Sequence, residues 1–104
     1  TRQPTTTPTQ ALYLMNSPFV HEASEGFARR ILSVSDGDRD RVLWAFETAH
    51  GRQPEDAVIH DAIEFLSAYR EKLAGSDATV DKDIAAWSAL ARVLLTSNAF
   101  LYVD

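Results

Sequence analysis

Apolar residues along this chain recur every three or four positions, the spacing that lines one face of an α-helix. Nowhere do they alternate at length as a half-buried strand would. Phe19, Ala23, Phe27, Ile31 and Val34 form one such stripe and predict a helix over about 18–34. Val42, Ala45, Phe46 and Ala49 form a second, over about 39–50. Val58, Ala62, Phe65, Leu66, Tyr69 and Leu73 form a third, over about 54–74, and leave His60, Asp61, Glu64 and Glu71 on its solvated side. The last helix, over about 80–98, carries Ile84, Trp87, Leu90, Ala91, Leu94 and Leu95, with Ala86 and Val93 outside that stripe. A helix apolar over most of its circumference belongs in the middle of a bundle. A short helix at about 10–15 follows a Thr/Pro-rich arm over 1–9, where Pro4 and Pro8 favour extended backbone. The expected fold class is all-α: a small bundle of about five helices in one domain spanning 1–104.

The boundaries have their own chemistry. Ser17 is placed to cap a helix that starts at Pro18, a position where the missing N–H costs nothing. Gly51 stands where a left-handed residue ends the third predicted helix, and Pro54 opens the next, with Glu55 and Asp56 at its positive end. Gly75-Ser76-Asp77 reads as a loop, and the tail NAFLYVD is too apolar to float free. Asn98 falls on the apolar arc of the last helix, where it either ties the tail to the arm or caps the helix end.

Composition narrows the function classes. The chain has 104 residues, 45% of them apolar and 24% charged, the profile of one globular domain. Fifteen acids stand against ten bases with no basic cluster, so nucleic acid is not an expected partner. Cysteine is absent, which removes disulfides, thiolate metal sites, iron–sulfur clusters and covalent haem. No apolar run approaches the roughly 20 residues needed to cross a bilayer. The chain starts TRQPTTTPTQ, without Met, and reads as a cut inside a longer protein.

Residues 36–47, DGDRDRVLWAFE, place Asp36, Asp38, Asp40 and Glu47 at calcium-loop positions. Arg41, however, occupies the position that a calcium loop reserves for glycine, and the apolar pattern needs a helix already running there. Asp36 or Asp38 is therefore expected to be an N-cap, not a metal ligand. His21, His50 and His60 lack metal-site spacing, and no serine lies in a Gly-x-Ser-x-Gly elbow. No catalytic residue, metal ligand or cofactor is expected in this chain. Trp44 differs: it points away from Val42 and Phe46, among Arg41, Glu47 and Thr48. A Trp on a polar face is either covered by other parts of the chain or is a contact for a partner.

Three stretches, TPTQALYLMNSPFV from residue 8, AFETAHGRQP at 45–54 and AWSALARVLLTSNAFLYVD at 86–104, together resemble the C-terminal part of the planctomycete-specific PSD domain family, whose function is unknown. Gly51, Arg52 and Pro54 match the family's inter-helix junction, and Asn98, Phe100 and Leu101 its terminal signature. The resemblance implies packing and capping roles for them. It further implies an exported, periplasmic or cell-envelope location in a large protein that often also carries a c-type cytochrome segment. A C-terminal module for assembly or partner binding follows as the expected function, its partners being other segments of the parent protein or an unknown protein. The alternative is an accessory part of an enzyme acting on polysaccharide or a redox substrate, with the chemistry upstream.

Overall fold

The computed structural model describes residues 17–75 and 81–101, with side chains described through Ser97. Among the described residues every regular element is an α-helix: α1 (Pro18–Val34), α2 (Asp38–His50), α3 (Asp56–Leu73) and α4 (Lys82–Leu101). The helix expected at 10–15 and the arm at 1–9 lie outside the described residues. None of the described helices is long and apolar enough to cross a membrane.

Each boundary has a local cause. Ser17 Oγ accepts a hydrogen bond from the Phe19 amide at 3.2 Å, and Pro18 opens α1. At the other end of α1, Arg41 reaches back from α2 to donate to the carbonyls of Ser35 (2.6 Å) and Leu32 (3.2 Å). The arginine standing where a calcium loop needs glycine thus satisfies carbonyls left over at a helix end. Neither Asp36 nor Asp38 is the N-cap of α2. Gly37 holds that position without a side-chain bond, and Asp38 is the first helical residue. Asp38 and Asp40 still lie in the first turn, where the helix dipole favours negative charge.

Gly51 ends α2 at φ 78°, with its amide bonded to the Glu47 carbonyl at 2.9 Å. The next helix starts two residues later than the sequence suggests: α3 begins at Asp56 after an extended Glu55, so Pro54 belongs to the connection. Asp81 caps α4, its Oδ1 accepting from the amides of Asp83 (3.0 Å) and Ile84 (3.1 Å). That helix continues through Leu101, beyond the end expected near residue 98.

α4 is the central element and packs against all three other described helices, most extensively against α1. Ala86, Trp87, Ser88, Ala89, Leu90 and Ala91 are buried in unbroken succession, which only a helix surrounded by neighbours achieves. Around Trp87 the core gathers Ile31, Val42, Ile59, Leu66 and Leu94, all nearly or wholly inaccessible. Burying a side chain of that size contributes about 1.5–3 kcal/mol each, so these few positions dominate the packing energy.

Two stripes are rotated from their expected faces. On α1 the buried residues are Val20, Ser24, Phe27, Ala28 and Ile31, whereas Phe19 is 76% exposed, Val34 is 42% exposed and Ala23 is also open. On α3 the buried residues are Ile59, Ala62 and Leu66, and Val58 and Phe65 are exposed. In both helices the apolar arc is wider than the strip its neighbours cover. Ser24 and Ala28, small and wholly buried, lie on the covered side of α1, and Phe19 lies on the side opposite them.

Candidate functional site

α2 supplies Trp44 directly before the buried Ala45, and α1 meets it from the side. The indole is half-buried and packs on the core. Its ring lies 5.9 Å from that of Phe27, tilted by 44°, and the Arg30 guanidinium sits 5.4 Å above it. Residues of α1 therefore do the covering. The sequence grouped Trp44 with Arg41, Glu47 and Thr48, but α2 touches three helices, so its contacting arc wraps round to the Trp44 side.

Next to this aromatic–cation stack runs an open cleft of about 510 Å³ between α1, α2 and α4. Ala23, Gly26, Phe27, Ala49 and Leu95 give it apolar walls, and Arg30 is the charged residue on its lining. The guanidinium of Arg30 has no carboxylate partner among the described residues, whereas Arg29 beside it pairs with Glu25 at 3.0 Å. A shallow apolar trough with one unpaired cation at its rim has the chemistry of a protein-docking surface. It offers no group poised to move a proton.

The other hollows are further from a reaction centre. One of about 360 Å³ is lined by Glu25, Arg29, Tyr69, Asp81, Ser88 and Arg92. Its acids are engaged, Glu25 with Arg29 and Asp81 with helix amides. A second, of about 370 Å³, lies at the α2–α3 junction, where Arg52 and Pro54 join His50 and Phe46. Nε2 of His50 lies 3.3 Å from the Leu94 carbonyl. Because a carbonyl only accepts, Nε2 carries the proton, and the ring ties the end of α2 to α4. The junction residues Gly51, Arg52 and Pro54 thus shape a turn and its hollow. The side chain of Asn98 lies outside the described residues.

The acidic run at 36–47 is dispersed by the helix that contains it. Asp40 and Glu47 lie seven residues apart on α2, about 10 Å along its axis. Among the described residues no group of three or more His, Asp or Glu is arranged to hold a metal ion. His60 meets Glu64 at 3.3 Å on the solvated side of α3, and His21 Nδ1 lies 3.5 Å from Arg92.

The strongest polar constellation went unread in the sequence. Arg70 near the end of α3 makes a two-pronged bond to Asp38 (2.9 and 3.1 Å) and donates through Nε to Asp83 at 3.1 Å. The hydrogen bonds from Arg70 hold the Asp38 carboxyl below the usual aspartate range against the opposing effect of burial. The same bonds push the Arg70 guanidinium further up. Both partners stay ionised, which makes this a clamp joining three helices.

The family model described as "Protein of unknown function (DUF1553)", PSD1, matches residues 1–66. Those residues include the stretch from residue 8 and the Gly51–Pro54 junction, while the stretch at 86–104 lies beyond them. No curated protein and no solved structure gives a match. The matched residues make up well over half of the chain, span α1, α2 and the first turns of α3, and contain Trp44, Arg30 and Gly26: the chain belongs to the PSD1 family of proteins of unknown function.

Proposed function

We propose that this chain is an assembly module, the C-terminal helical part of a larger exported protein, which docks other segments of that protein on the face built by α1 and Trp44. One observation carries the reading: an apolar face is left open. Phe19 is 76% exposed on α1, one turn before Ala23, which with Gly26, Phe27 and Leu95 walls the cleft. Single exposed apolar residues are ordinary, but a joined apolar trough with an aromatic–arginine stack at its edge marks a contact surface. The exported setting and the C-terminal position rest on the resemblance to the PSD family. Asp81 caps α4, and Asp38 and His50 tie helices together, which leaves the open apolar face as the feature that favours binding.

Isothermal titration of upstream segments of the parent protein into this chain tests the reading. Binding weakened at least tenfold by Phe19→Ala, whose ring is open on α1, supports it, since an aromatic anchor buried on binding typically carries more than about 1.4 kcal/mol. Absence of binding by every upstream segment contradicts it.

A further inference from the structure

Gly26 lies in the middle of α1 with an ordinary helical backbone, and a Cβ built there meets nothing within 4 Å. A glycine inside a helix weakens it relative to alanine, and nothing within the described fold needs this one. What a missing side chain does permit is the close approach of another backbone. The residues spaced around Gly26 indicate which backbone that is.

Four residues before it stands Glu22, and four residues after it Arg30. Both lie about 6 Å along the axis from Gly26 and within about 40° of its direction. Glu22 and Arg30 are exposed, and neither has an ion-pair partner among the described residues. Further out lie Phe19, seven residues before, and Val34, eight after, about 10 and 12 Å from the centre. They are 76% and 42% exposed, the two large apolar side chains of α1 that the bundle leaves open. The charged series outward along α1 is thus acidic, glycine, basic, with Phe19 nearly in line with Gly26 and Val34 about 80° round from it.

That series is complementary to its own reverse. We infer that α1 binds α1 of a second copy of this chain, antiparallel, with the two-fold axis passing at Gly26. This rests on the reading of the α1 face as an interaction surface and gives that face a second occupant, which competes with the upstream segments. Under the two-fold, Glu22 meets Arg30 of the partner subunit and Arg30 meets Glu22 of the partner subunit. The two glycines let the backbones cross closely, and the adjoining cleft widens the contact. A parallel pairing is disfavoured because it sets like charges side by side, Glu22 against Glu22 and Arg30 against Arg30. Stacking on Trp44 holds the Arg30 guanidinium by its face and leaves its edge N–H groups free to donate across the interface. One pair of 17-residue helices buries less than the roughly 1,200 Å² of a standard interface, which puts the dimer in the weak, reversible class.

Sedimentation equilibrium of the 104-residue chain from about 10 µM to 1 mM tests the inference. A reversible monomer–dimer equilibrium is expected. Glu22→Arg opposes like charges at both symmetric contacts and should weaken it roughly tenfold, while adding Arg30→Glu to Glu22→Arg restores it by reversing both signs. Gly26→Leu should abolish the dimer while raising the melting temperature of the monomer, so loss of association cannot come from loss of fold. A monomer at every concentration overturns the inference, as does a dimer indifferent to these substitutions. If the chain stays monomeric yet binds upstream segments, self-association falls and the assembly reading stands; if it does neither, both fall.

Discussion

Arg70 and Asp38, 32 residues apart in the chain, are joined by two parallel hydrogen bonds of 2.9 and 3.1 Å. The pair links the last turn of α3 to the first residue of α2, and through Asp83 it also holds the start of α4. A guanidinium fork on a carboxylate in a partly desolvated setting is worth more than an open surface pair, because both partners are pre-aligned and only partly screened. With side-chain exposures of 25% and 29%, Arg70→Gln should cost about 1–2 kcal/mol, and the Arg70→Gln/Asp38→Asn cycle should show coupling of about 1 kcal/mol by urea unfolding.

The same pair sets an acid limit. Asp38 titrates lower in the folded chain than in the unfolded one, since Arg70 hydrogen-bonds its charged form. Its stabilisation is therefore complete above the unfolded aspartate value of about 4 and is lost as the pH falls through the lower folded value. The stability difference between the wild type and Asp38→Asn should hold from about pH 7 to about pH 5 and shrink as the pH falls below about 4, as followed by urea midpoints.

The register of α3 is testable with neighbouring residues. Ile59 and Leu66 are buried, whereas Val58 and Phe65 are 38% and 37% exposed. Ile59→Ala and Leu66→Ala should each cost about 2–4 kcal/mol, and Val58→Ala and Phe65→Ala about 1 kcal/mol or less. Equal losses at residues 65 and 66 would place the buried strip one residue from where it is described.

Two glycines should respond in opposite directions. Gly51 sits at φ 78°, which an L side chain adopts only under strain, so Gly51→Ala should destabilise by about 1–2 kcal/mol. Gly26 has an ordinary helical φ and open space around it, so Gly26→Ala should stabilise the dilute monomer by about 0.5–1 kcal/mol. Thermal melts at low concentration compare them.

How much of this the sequence disclosed depends on whether the signal was local. The all-α class followed from periodicity, because a three-to-four spacing has meaning along a single segment. Ser17-Pro18 is legible for the same reason. Which edge of a broad apolar arc is buried depends on the neighbouring helix, so Phe19 and Val58 read as core although the bundle covers Val20 and Ile59 instead. The Arg70–Asp38 clamp has no local mark, since an arginine and an aspartate 32 residues apart carry no spacing that distinguishes them from surface charges. The seat of Trp44 was hidden likewise. A helix of two or three residues per face cannot announce that it will be flanked on more than one side. Asp81 was the missed signal within reach: an aspartate three residues before Ile84 is a recognisable cap.

The interface on α1 can be tested most directly by cross-linking, because the chain contains no cysteine and a single one can be placed at will. In Gly26→Cys the two thiols face one another across the proposed two-fold, where Cα atoms brought within about 7 Å form a disulfide without distortion. The account predicts that this variant oxidises rapidly to a covalent dimer while Ser67→Cys, exposed on α3, stays monomeric under the same conditions. Equal rates for the two, or no dimer from Gly26→Cys, would contradict it.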